Sequence, residues 1–180
     1  MTLITGMLAA GGAALLVLFV VTGFFGPLFG FLAAGATAYY IWKHFEDKYK
    51  AQMFALQNPA AEVWSMPMPK AWACLKDVLS TANVQTGVSG VSNWHIQQED
   101  TTKGFIQAQL SFKEHQGSGV QSTTMPRTVT MLANFSPEGS GTRIQITYEI
   151  FSPSGTGNVE NVLKTTQELI KQRTAIEKGE

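Results

Sequence analysis

No Asp, Glu, Lys, Arg or His occurs before Lys43, so residues 1–42 form one uninterrupted apolar tract. A water-soluble domain has no way to cover so much apolar chain, and roughly 18 such residues already suffice for a membrane helix. The tract is also too long for one crossing. Forty helical residues rise about 60 Å against a hydrocarbon layer of about 30 Å. A break is therefore required, and it is written at Gly23-Phe24-Phe25-Gly26-Pro27. There two glycines loosen the backbone, and Pro27 removes a donor and disfavours helix at Gly26. The expectation is a helical hairpin over 1–42, transmembrane or re-entrant, with its corner at 23–27.

The second arm is short for a full span, about 15 residues before Lys43. Tyr39, Tyr40 and Trp42 stand where an aromatic belt belongs, and Lys43, Lys48 and Lys50 follow them. This basic flank places the end of the second arm on the cytoplasmic side, and a hairpin returns the N-terminus there too. A secretory signal peptide is the competing reading, with Ala36-Thr37-Ala38 as its cleavage-like site. It lacks a basic leading segment, and the tract far exceeds the 7–15 residues of a signal core, so a retained anchor is expected. Small residues recur every fourth position as Gly6, Ala10 and Ala14 on the first arm and Gly26, Gly30, Ala34 and Ala38 on the second. Such stripes permit close helix approach in lipid, either of the two arms to each other or of the hairpin to another subunit.

From Trp42 the apolar period becomes amphipathic. Trp42, Phe45, Tyr49, Met53 and Leu56 share one helical face, opposite Lys43, Asp47, Lys50 and Gln57. Residues 43–68 are thus expected to form a stalk, stopped at Asn58-Pro59, followed by a Pro/Met-rich linker. In that linker Trp64, Met66 and Met68 are candidates for contact with lipid or a partner, since Met and Trp are enriched at such surfaces. The bland alternative is an extended segment lying over a core.

Residues 69–180 suit one soluble domain. Trp72, Leu75, Val78, Leu79 and Ala82 recur at helical spacing behind Pro69. Alternation then takes over, placing Trp94 and Ile96, then Ile106, Ala108, Leu110 and Phe112, then Val129, Met131, Ala133 and Phe135, then Ile144, Ile146, Tyr148 and Ile150 on buried faces. Ser136-Pro137-Glu138-Gly139 fits a type I turn, a loop or short strand is expected at Val84 to Val91, and polar loops are expected at Gln116 to Gly119 and Ser152 to Gly155. A final helix carries Val159, Val162, Leu163, Thr166, Leu169, Ile170 and Ile176 on one stripe. The reading is membrane-anchored α+β: a hairpin followed by a two-layer domain of antiparallel sheet packed against helices, in α-β-β-β-β-α order. That order resembles in outline the helix-grip and other small α+β folds, and no motif carries a family assignment.

Chemistry is sparse. Cys74 falls on an apolar helix face, and His44, His95 and His115 have no ligand spacing, so no metal is expected. The glycine runs lack the lysine and the strand-loop-helix frame of a phosphate cradle. Thirteen basic residues balance thirteen acidic ones, with no basic stripe, so no nucleic-acid partner is expected. No cofactor and no catalytic residue are assigned. Two readings survive. In the first, a non-catalytic accessory or scaffold subunit of a bacterial inner or other energy-transducing membrane has lipid and other membrane-protein subunits as partners. In the second, a membrane-tethered domain holds a lipid or other apolar ligand in a pocket lined by Trp94, Phe112, Met131, Phe135 and Tyr148.

Overall fold

The computed structural model describes residues 3–86, 90–116, 123–152 and 158–178. The chain forms two compact units, Met1–Ala55 and Leu56–Glu180.

The first unit is built from helix α1 (Leu3–Phe25) and helix α2 (Pro27–Gln57). They are separated by one residue, Gly26, whose φ of 88° lies in the left-handed region that glycine alone enters without a Cβ penalty. The break is thus narrower than the five-residue corner expected from sequence. Pro27 opens α2, where its missing donor would have had no intrahelical partner. Gly30 sits against α1: a Cβ there would meet Thr22 Oγ1 and lie 3.2 Å from the Leu18 carbonyl oxygen. Beyond that point the arms border an open apolar gap of about 490 Å³ lined by Met7, Ala10, Gly11, Ala38, Tyr39 and Trp42. The helix continues without interruption into the amphipathic stretch. There Phe45 and Tyr49 are half-buried and Met53 is buried, while Lys43, Asp47 and Lys50 are exposed.

In the second unit, β1 (Glu62–Trp64) precedes α3 (Met68–Thr81). The strands β2 (Asn83–Gln85), β3 (Val91–Asn93), β4 (His95–Asp100), β5 (Phe105–Gln116), β6 (Thr123–Glu138) and β7 (Gly141–Phe151) follow, and α4 (Val159–Lys178) closes the chain. An antiparallel sheet of order β1-β7-β6-β5-β4 is accompanied by a two-stranded β2-β3 ribbon. The result is an α+β fold with a helix-grip-like arrangement. The buried alternation is as read: Ile106, Ala108, Leu110, Val129, Met131 and Ala133 are fully enclosed, and α4 adds Val159, Val162, Leu163 and Ile170 to the core. Cys74 is buried on α3 and His95 is exposed on β4.

Several expectations are corrected. The β6-β7 reversal falls at Glu138 to Gly141, which face each other in the register, with Gly139 at a φ of 59°. Pro137 therefore belongs to the strand. It lies beyond Asn134, the last β6 residue paired to β5, so its missing N–H breaks no bond on that side. Ile176 is 64% exposed and does not belong to the buried stripe of α4. Of the expected loop or short strand at Val84 to Val91, Val84 and Gln85 lie in β2 and Val91 opens β3, while 87–89, like 117–119 and 153–155 of the expected polar loops, lie outside the described residues.

The segment read as linker is also corrected. Residues 62–64 are a strand, paired as Glu62↔Ile144, Val63↔Arg143 and Trp64↔Thr142. Trp64 is 2% exposed and Met66 4%, so neither offers a surface to lipid or a partner. The Thr142 hydroxyl donates to the Met66 carbonyl at 2.8 Å, and Gly141 is close enough to β1 that a Cβ would strike the Trp64 carbonyl. Met68 is half-buried, its Cε against Gly104.

Candidate functional site

Three features of the two units carry chemistry or surface. The first is the outer face of the hairpin. Leu8, Leu15, Leu16, Phe19, Leu28, Phe31 and Leu32 are all more than half exposed, whereas Ala10 and Gly30 are buried and Ala14, Gly26, Ala34 and Ala38 are half-buried. The every-fourth-residue stripes are therefore the more covered small positions, while other small residues such as Gly11, Gly12 and Gly35 are exposed along with the bulky ones. Gly6 lies in α1. Over Met7–Phe25, α1 is long and apolar enough to cross a membrane, and little of that stretch is buried. At the polar end of α2, Lys43 lies 5.9 Å from the Tyr39 ring centroid, and Lys50 pairs with Glu46 at 2.6 Å. Hydrogen bonding to the Glu46 carboxylate, and its charge, hold the Lys50 ammonium above its usual pKa.

The second feature is a cleft of about 70 Å³ between the β1-β7 edge and α4. Its apolar wall comes from Trp64, Ile144, Ile146, Tyr148 and Ile170, with Glu62, Gln167 and Lys171 as polar lining. The Gln167 amide is engaged, donating to the Leu56 carbonyl at 3.0 Å. Tyr148 is 3% exposed, and its buried hydroxyl has no protein partner among the described residues. Its ring packs on Trp94 at 6.4 Å between centroids, and the Trp94 indole N–H donates to Thr166 Oγ1 at 3.2 Å. Of the five residues expected to line a pocket, the structure brings Trp94, Met131 and Tyr148 together, the last two being cross-strand partners. Phe112, opposite Arg127, and Phe135, opposite Ile144, stand at the two ends of the sheet. At about 3.4 Å per strand residue they are too far apart to enclose one small guest.

Burial pushes the Tyr148 phenol well above its ordinary pKa, because the phenolate would lose its hydration. The stability consequence has a definite sign. Below about pH 10 both folded and unfolded chains hold the proton, so this group contributes no slope. Above it the unfolded chain ionises first, and stability falls as pH rises, by up to about 1.4 kcal/mol per pH unit, until folded Tyr148 ionises as well. A Tyr148→Phe variant is expected to lose that slope and to melt later than the parent above pH 10. Parallel melting curves for the two proteins from pH 8 to 11.5 would refute the assignment.

The third feature escaped the sequence reading. Arg127 is fully buried, and its Nε donates to Glu114 Oε2 at 2.9 Å. Its Nη1 donates to Ser152 Oγ, and Asn158 Nδ2 donates to Glu114 Oε1 at 3.0 Å. The Glu114–Arg127 pair thus joins β5 and β6 to the end of β7, through Ser152, and to the start of α4, through Asn158. Its signal was in the sequence: Arg127 is in phase with Val129 and Met131, and a charge on a buried face requires a partner. Among the described residues no cluster of three or more His, Cys, Asp or Glu side chains could hold a metal ion.

No family model and no curated protein matches the chain. Among solved structures, Ara h 8.0201 aligns at 8% identity over 67% of this chain and 96% of its own, with a TM-score of 0.37. The Zhui aromatase/cyclase from Streptomyces sp. R1128 aligns at 12% identity over 66% of this chain and 90% of its own, with a TM-score of 0.34. TTHA0849 from Thermus thermophilus aligns at 12% identity over 66% of this chain and 96% of its own, with a TM-score of 0.28. At these scores none of the three bears on the chemistry of this chain.

Proposed function

We propose that this protein is a membrane-anchored, non-catalytic accessory or scaffold subunit. Its hairpin inserts in the bilayer and docks into a larger integral-membrane complex, and its α+β domain caps that complex from the cytoplasmic side. The observation that supports the reading is the outward band of Leu8, Leu15, Leu16, Phe19, Leu28, Phe31 and Leu32. Contiguous apolar surface on this scale is a liability in water and an asset in lipid. The tract has no ionisable group that would mark an ion or proton path. A carrier of whole lipids or other drug-sized apolar ligands fits less well, since the cleft of about 70 Å³ is far below the roughly 300 Å³ at which such pockets begin.

Two measurements test the proposal. Membranes washed with alkaline carbonate should retain the full chain, and mild-detergent extracts should contain it at fixed stoichiometry with other integral subunits. Release by carbonate would remove the anchor, and a lone monomer in the extract would remove the scaffold. For topology, single cysteines at Phe25 and Ala175 in a Cys74→Ala background should differ toward an impermeant reagent in intact cells. Labelling at 25 alone is expected, and labelling at 175 alone would reverse the orientation.

A further inference from the structure

We propose that the gap between α1 and α2 holds one acyl tail of an anionic phospholipid whose phosphate meets the Lys43 ammonium. The inference rests on the membrane reading and names a partner for the same hairpin: a resident lipid seated between its arms.

The arms touch near the corner and part beyond it. Gly30 packs against Leu18 and Thr22, four residues from Gly26, whereas the gap of about 490 Å³ is walled by Met7, Ala10 and Gly11 on α1 and by Ala38, Tyr39 and Trp42 on α2. At 1.5 Å per residue it begins roughly 18 Å from the corner. The hairpin does not fill this space itself, since a Cβ at Gly11 would meet nothing within 4 Å. Walls that face a void lose their dispersion contacts, and in a bilayer the material at hand is hydrocarbon. A tail between the arms touches two helices, where a tail on the outer face touches one.

Charge selects the headgroup. Lys43 Nζ lies 5.9 Å from the centroid of the Tyr39 ring, so a cation stands beside one wall of the gap. Among the described residues Lys43 has no carboxylate partner: Glu46 is held by Lys50 at 2.6 Å, and Asp47 makes no ion pair with it. No acid precedes Glu46 in the sequence. Tyr39 and Trp42 mark the headgroup level, and the flanking lysines assign this end to the cytoplasmic leaflet, where anionic lipids are found. A zwitterionic headgroup brings its own cation and leaves Lys43 unmatched. A further membrane helix would match the walls, but it would need an acid at this level, whereas one anionic lipid supplies both tail and charge.

The test uses the full chain in phosphatidylcholine vesicles that contain either phosphatidylglycerol or phosphatidylcholine brominated on its acyl chains, and it reads the quenching of Trp42 fluorescence. Bromine quenches an indole on contact. Trp64 and Trp94 are buried and Trp72 is half-buried in the α+β unit, so Trp42 is the tryptophan that a lipid tail reaches. Brominated phosphatidylglycerol should be preferred about fivefold, the worth of one lysine at an anionic headgroup. Lys43→Gln should remove the preference. Lys48→Gln deletes the same charge from an exposed position that borders no wall, and it should retain most of the preference. Gly11→Leu fills the gap without a clash and should also bring the ratio to about one. If Gly11→Leu fails to insert, the two lysine variants decide. A preference that survives Lys43→Gln or Gly11→Leu, or that falls equally in Lys48→Gln, would overturn the proposal. Flotation of the same vesicles separates it from the membrane reading. A chain that floats but is quenched equally by both lipids keeps its anchor and loses the lipid site, and one that floats unquenched has the gap filled by a second copy. A chain that does not float loses both.

Discussion

Leucine at position 30 is expected to open the hairpin. A Cβ at Gly30 already meets Thr22 Oγ1 and comes within 3.2 Å of the Leu18 carbonyl. The hydroxyl can rotate away, but the carbonyl belongs to the α1 ladder and moves only with the helix. Overpacking of this kind costs roughly 1–3 kcal/mol, and in lipid no hydrophobic gain offsets it because the surroundings are as apolar as the contact. Spin labels at Gly11 and Ala38, which border the gap between the arms, should report a longer and broader distance distribution in Gly30→Leu than in the parent. Gly35→Leu serves as the control, since a Cβ at Gly35 meets nothing within 4 Å. Indistinguishable distributions for Gly30→Leu and the parent would mean that close approach at Gly30 does not hold the arms together.

Glu114→Ala is expected to be the most destabilising single change in the α+β unit. It removes the carboxylate from beside a guanidinium whose side chain is 0% exposed, and it also removes the acceptor of Asn158. Breaking one partner of a buried pair costs about 3–5 kcal/mol, a large part of the 5–15 kcal/mol by which domains of this size are held folded. Replacing both partners with apolar residues, Glu114→Leu with Arg127→Met, should recover most of that loss, because the penalty lies in the unpaired charge and not in the missing attraction. Urea unfolding of the full chain, followed by tryptophan fluorescence, measures both. A loss below about 1 kcal/mol in Glu114→Ala would show that water reaches the guanidinium.

These two sites differ in how far the sequence announces them. Gly26-Pro27 is a local signal, complete within two residues, and α1 and α2 meet there. The buried faces of β5 and β6 were equally readable, since Ile106 to Phe112 and Val129 to Phe135 alternate over enough residues to fix their phase. β1 was not readable: three residues cannot display a period, and the partner that makes Glu62 to Trp64 a strand lies at Thr142 to Ile144. Trp64 and Met66 accordingly looked like a contact surface, because composition records what a side chain prefers and not which distant segment covers it. The turn at Pro137 was misplaced for a similar reason. Proline marks a turn unless the strand has already lost one neighbour, and only the register shows where β5 ends. Tyr148 was legible as core, while its unmet hydroxyl depends on which side chains surround it in three dimensions.

The pairing of β1 with β7 also fixes an order of events during synthesis. Everything that defines the hairpin has been made by Gln57, whereas Met66 waits for Thr142, 76 residues later, before its carbonyl finds a donor. Gln167 reaches back across 111 residues to the Leu56 carbonyl. Chains fold in the order they emerge, and contacts so distant in sequence form slowly. The two apolar arms are therefore complete before the sheet can close, and β1 waits for its partner through most of translation. A nascent chain arrested before β7 would present Trp64 and Met66 to chaperones, although the finished protein hides both.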